Sequence, residues 1–296
     1  MPKILNICIV CSFMGLWVAS LFSAEIELIV GFCLIFTFGI AHGANDMLLL
    51  SKFRKLNSTR GTVKRLLYYI ATVLLIFLFF LWIPLMTLII FVLLSAFHFG
   101  QQHWESKALF KKRSVNDLFY LNYGLVVLFM LFTFNSEEVT EVILNLTSVS
   151  IPSAVFLYGL FATAIIFSGI VLFKIMRDIS KATSLLYELF LLLLLFVIFK
   201  MSSLIWGFSI YFVFWHSIPS LFDQIDFIYG SVDKKAVKSY VVSAIPYWLS
   251  ALIGLAVTSF FLEASLLFNA IFFAFIAAVT FPHTLIINTM FTRRRE

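Results

Sequence analysis

The chain has 296 residues, 62% hydrophobic and 12% charged, with a net charge of +6 and a mean hydropathy of +1.05. Soluble domains carry about 25% charged residues, so the composition excludes a water-soluble fold and leaves no segment for a separate soluble domain. The positive charges sit in short connections between apolar runs, a pattern of membrane topology and not of nucleic-acid binding.

Apolar runs of about 20 residues recur from end to end, each long enough to cross a hydrocarbon core about 30 Å thick. They predict helices at 4–22, 26–50, 65–83, 85–104, 118–134, 152–176, 183–200, 204–224, 238–262 and 264–291. The first run is long for a signal peptide. Cys8, Cys11 and Cys33 fall in the first two runs and read as small apolar packing residues. Tight turns are expected near Pro84, Ser202 and Glu263, and the acidic segment at about 135–151 is expected to lie on the surface as a short helix. The fold class is all-α: one polytopic transmembrane helix bundle over residues 1–296.

The loops test the helix count. With a cytoplasmic N-terminus, 20 of the 21 Lys and Arg fall on the inner side, from Lys3 and the Lys52–Arg65 cluster to Arg293, Arg294 and Arg295, and Lys200 is the exception. Glu25, Glu27, Glu137, Glu138, Glu141 and Glu263 fall outside. A wrong count would scramble this segregation, so both ends are expected inside.

Of five histidines, four lie within apolar helices: His42, His98, His216 and His283, on the second, fourth, eighth and tenth. All four helices run from outside to inside. His42 precedes Lys52 by ten residues, His98 precedes Lys107 by nine, His283 precedes Arg293 by ten and His216 precedes Asp226 by ten. At 1.5 Å per residue the four imidazoles share a depth about 15 Å from the inner edge. Polar groups there are costly unless they face one another, and neutral imidazole is the commonest metal ligand. A shared metal site is the expectation.

Asp46, Gln101, Gln102 and Ser220 lie one turn further in, where groups that orient ligating histidines belong. Glu188 enters from the seventh helix as a further candidate, with a pairing to Lys181 as its plain structural explanation. His103, one turn below His98, reads as an interfacial or supporting group, with a ligand role in place of His283 as the alternative. Gly39, Gly43, Ala96 and Gly100 flank two of the histidines and allow close helix approach. Phe97, Trp206, Phe212, Trp215 and Phe281 are candidates to line a slot for a long, flat, lipid-soluble substrate. An all-histidine set suits iron, copper or zinc. Two readings from other classes stay open: a transporter or proton relay using the histidines and Asp46, and a bis-histidine haem protein.

Four motifs in order carry a resemblance: His42-Gly43 with Asp46, then Ser95-Ala96 with His98-Phe99-Gly100, then Phe214-Trp215-His216-Ser217, then Pro282-His283. The set resembles the bacterial membrane β-carotene 15,15′-dioxygenases of the Brp/Blh type. The resemblance implies a ferrous, dioxygen-dependent cleavage of β-carotene to two all-trans-retinal, with His42, His98, His216 and His283 holding Fe(2+). It also implies a bacterial inner-membrane location and retinal supply to a rhodopsin-type pump. The chain departs from the family pattern at Ser220, where many members carry a further histidine, and at Gln101 and Gln102, where many carry an acid.

Overall fold

The computed structural model describes residues 2–54, 59–261 and 268–295. Among the described residues there is no strand. Ten helices are long and apolar enough to cross a membrane. We number them α1 (Ile4–Leu21), α2 (Ala24–Phe53), α3 (Arg60–Trp82), α4 (Pro84–Lys107), α5 (Arg113–Phe134), α6 (Ala154–Arg177), α7 (Ile179–Met201), α8 (Leu204–Tyr229), α9 (Lys234–Val257) and α10 (Ile271–Arg295). A membrane leaves few alternatives, since every backbone N–H and C=O in lipid must be satisfied within its own segment.

Each of the ten predicted runs corresponds to one of these helices among the described residues, and several helices extend past their apolar stretch. α3 begins at Arg60, α5 at Arg113 and α9 at Lys234. Lys and Arg are good helix formers, and their stems can lie along apolar surface while the charge reaches water. The acidic segment forms a helix at Ser136–Thr147, with Val139, Ile143 and Thr147 buried at four-residue spacing. The expected turn at Glu263 lies outside the described residues, as does Lys55 of the basic cluster.

Local chemistry sets the other ends. Pro84 opens α4, where its missing N–H costs nothing. Glu27 Oε2 accepts from the Ser203 N–H at 3.0 Å and the Ser203 hydroxyl at 2.7 Å, capping the start of α8. α8 ends at Gly230, whose φ of 78° is the left-handed cap that glycine adopts without strain. Asp233 then accepts from the Ala236 N–H at 2.8 Å. That bond holds its carboxyl below the usual carboxylate range.

The helices cluster into two compact units. One comprises the chain up to Cys33 with Ser95–Glu141 and Ser150–His216; the other comprises Leu34–Leu94, Val142–Val149 and Ser217 onward. In the first unit α4 and α5 meet backbone to backbone. A Cβ on Gly100 would lie 1.9 Å from the Tyr120 carbonyl oxygen, and one on Gly124 would lie 1.8 Å from that of Ala96. Phe119 of α5 stacks on Phe167 of α6, with centroids 5.7 Å apart. In the second unit Leu49, Ile225, Tyr240, Ile287 and Met290 form a core joining α2, α8, α9 and α10. Ile76 and Phe80 of α3 pack on Ala274, Ala277 and Ala278 of α10.

Two predictions follow from this architecture. Gly100→Ala is expected to lower stability by at least about 1–3 kcal/mol, because the obstacle is backbone that cannot swing aside. An unchanged thermal midpoint in detergent would refute the α4–α5 contact. Both chain ends are expected in the cytoplasm: a fluorescent protein fused after residue 296 should mature there, and a periplasm-dependent phosphatase inserted in the Ser136–Thr147 helix should be active. The reverse pattern would overturn the topology.

Candidate functional site

In the second unit, α2 is not uniform. An α-helix to Leu34 passes into π-helix at Ile35–Gly39, returns to α at Ile40–Gly43, turns, and restarts at Asp46. His42 lies three residues past the π segment, and its Nδ1 donates to the Gly39 carbonyl. A carbonyl only accepts, so Nδ1 carries the proton and the lone pair sits on Nε2. The turn at Ala44–Asn45 interrupts the helical ladder, and Gln224 of α8 donates to the His42 carbonyl at 3.0 Å. Gln224 also donates to Ser220 Oγ at 3.2 Å and accepts from the Tyr240 hydroxyl at 2.8 Å. Asn45 donates to the Tyr240 carbonyl at 3.0 Å.

His283 of α10 lies edge-on to His42, with ring centroids 4.8 Å apart and planes at 87°. Its Nδ1 donates to Asp46 Oδ1 at 2.8 Å, which again leaves the lone pair on Nε2. The other Asp46 oxygen accepts from the Tyr69 hydroxyl at 2.9 Å. His42, Asp46 and His283 are all buried. Asp46 thus orients His283 across the unit, and not the histidine four residues before it. It also stands in the first turn of its helix, where the helix dipole favours a negative charge.

In the first unit, His98 of α4 meets His216 of α8 with centroids 4.6 Å apart and planes at 73°. His216 sits inside a second π segment, Tyr211–Ser217. Phe212 stacks on His216 at 5.7 Å and 13°, and Phe208 stacks on Phe212 at 5.1 Å and 10°. Phe99 closes edge-on against His216 at 4.7 Å. Trp206 and Trp215 turn towards α1: their indole N–H groups donate to the Gly15 carbonyl at 3.0 Å and to Ser12 Oγ at 2.8 Å. Cys8 also donates, its Sγ lying 2.7 Å from the Phe214 carbonyl oxygen.

The remaining candidates fall elsewhere. His103 Nε2 is 2.6 Å from Glu188 Oε2, and Lys107 Nζ is 2.5 Å from Glu188 Oε1. Glu188 therefore pairs across to α4 and not with Lys181. His103 stacks on Tyr123 at 4.9 Å, so this cluster ties α4, α5 and α7 together. Gln101, Gln102 and Ser220 are buried, while Phe97 and Phe281 are half-buried. Phe281 packs beside the Ala277–Ala278 cluster. Tyr69 and Gln224 were not legible as partners of the histidine motifs, because each meets a residue distant in sequence.

These features define an integral membrane protein carrying two buried histidine pairs, each within one unit. The profile of the family described as "Beta-carotene 15,15'-dioxygenase" matches residues 33–291, a stretch that contains all four histidine motifs, and the chain belongs to that family. No curated protein and no solved structure matches it.

Removing Glu188 would leave Lys107 and His103 without their carboxylate. Breaking a buried pair costs about 3–5 kcal/mol, and Lys107 is one-third exposed, which screens part of that cost. Glu188→Ala is expected to destabilise the protein by about 2–4 kcal/mol in thermal melts. Wild-type stability in that variant would show that the cluster is not an interhelical tie.

Proposed function

We propose that this chain is an iron(II)- and dioxygen-dependent enzyme that cleaves β-carotene at its central 15,15′ double bond, giving two molecules of all-trans-retinal. The observation that carries the reading is the pair of buried histidine contacts, each formed by residues of the family motifs.

The donor set fits the metal. Imidazoles without thiolate suit a first-row ion such as ferrous iron. In the second unit the ring nitrogens follow the pattern of ligating histidines: Nδ1–H is bound by a carbonyl or carboxylate, which fixes the tautomer and makes Nε2 the donor atom. His42, His98, His216 and His283 are the proposed ligands. Asp46 would orient His283 and offset part of the ion's charge in a medium that penalises it. The direct ring contact within each pair leaves no room for a porphyrin between the two imidazoles, which argues against haem.

Iron, when bound, supplies the activation of dioxygen. The chain's own residues bind and orient. The broken double bond becomes two aldehydes, and the two atoms of dioxygen become their oxygens, so no reductant is consumed. The substrate is a C40 hydrocarbon that dissolves only in the bilayer. The aromatic stack of Phe208 and Phe212 on His216 gives flat π surface beside a proposed ligand. Phe97 is proposed to contribute to the same slot, and Phe281 is proposed as a further substrate-lining residue. Trp206 and Trp215 would do so with their ring faces, because their N–H groups are committed to α1. Holding a reacting bond in place can contribute several kcal/mol, about 7–11 at most. The proposed location is the cytoplasmic membrane, in contact with lipid, and the product would serve a retinal-binding rhodopsin.

The test is expression in a bacterium that accumulates β-carotene, followed by pigment extraction. The expected result is loss of orange colour with appearance of all-trans-retinal, and a fall of more than about a hundredfold for His98→Ala and His216→Ala. The purified protein should contain iron and show no Soret band. Full activity in both variants would refute the ligand assignment. Intact β-carotene beside well-inserted protein would refute the activity.

A further inference from the structure

Two of the four histidine-bearing helices contain a π-helical segment next to the histidine: Ile35–Gly39 before His42, and Tyr211–Ser217 around His216. π segments are rare and appear mostly as single turns. A π turn holds one residue more than an α turn, so everything beyond it is rotated by about 100° from its α-helical facing. The segments therefore decide which way the imidazoles point. They also change the backbone hydrogen-bond pattern, and in a bilayer every carbonyl has to be satisfied within the protein.

Each segment has a carbonyl that accepts from a side chain on another span. In α2, the Phe36 carbonyl accepts from Trp248 Nε1 of α9 at 2.6 Å. In α8, the Phe214 carbonyl accepts from the Cys8 thiol of α1. The next residue, Trp215, is tied to Ser12 one helical turn along α1. Ser12 is fully buried, so this bond is sheltered from competition. The two arrangements are built from unrelated residues in different units, yet each supplies a donor to a carbonyl within a π segment. The first span lies before residue 33, where the family match begins.

We infer that Trp248, and Cys8 together with Ser12, are positioning residues that hold the two π segments in register and thereby set the facing of His42 and His216. Its consequence for metal binding rests on the proposed function; the register itself does not.

The experiment is amide hydrogen exchange on the full-length protein in detergent, read by mass spectrometry over residues 35–39 and 211–217. One hydrogen bond is worth about 1 kcal/mol, so its loss should speed local exchange about five- to tenfold. Trp248→Phe should accelerate exchange in the first segment only. The double variant Cys8→Ala with Ser12→Ala should accelerate it in the second only. Cys8→Ser in an otherwise wild-type chain keeps a donor and should exchange at the wild-type rate. Cobalt(II) added to the purified protein gives a second readout: its visible bands should shift in Trp248→Phe and in the double variant, and not in Cys8→Ser. Unchanged exchange in both segments would overturn the inference, as would acceleration spread evenly over all spans. If wild-type protein binds no cobalt or iron while exchange responds as expected, the register stands and the iron reading falls.

Discussion

A polar group buried in a membrane span is costly unless the protein itself supplies a partner, and that constraint organises the structure around His42 and His283. The imidazole of His42 meets it by donating to the Gly39 carbonyl, and that of His283 by donating to Asp46. In each case one bond settles two questions. It satisfies the proton-bearing nitrogen, and it commits the other nitrogen to hold the lone pair. An imidazole so fixed is ready to act as a ligand without rearranging.

The same constraint explains why the surroundings of Asp46 are so fully elaborated. A carboxylate inside a membrane is costly unless each oxygen finds a donor. Asp46 has His283 on one oxygen and Tyr69 on the other, and it begins a helix restarted by the turn at Ala44–Asn45. The His42 carbonyl, just before that turn, accepts from Gln224. The break in α2 is therefore part of the polar arrangement and not a defect in it.

The spans were legible because they follow from a one-dimensional property, the length of apolar runs. What pairs with what was not. Asp46 stands four residues from His42, which suggests a bond along the helix, but the broken helix sends it to His283 instead. Glu188 had Lys181 within two turns, yet it reaches across to His103 and Lys107. The π segments left no mark in composition, since Ile35–Gly39 and Tyr211–Ser217 read as ordinary apolar helix. Small residues misled in part. Gly100 is required by contact with the Tyr120 backbone, whereas a Cβ on Gly43 would meet the His283 ring only at an ordinary 3.7 Å.

Ser220 stands where the resemblance leads one to expect a further histidine. It is fully buried, and its hydroxyl accepts from the amide of Gln224, the same amide that donates to the His42 carbonyl. Serine is small enough to keep Gln224 in place, and Gln224 in turn holds Tyr240 of α9. The unit that carries Ser220 also carries His283, already oriented by Asp46 and Tyr69. The polar arrangement around Ser220 is thus complete without a histidine there, consistent with the proposed ligand set, in which His283 is the second imidazole of its unit.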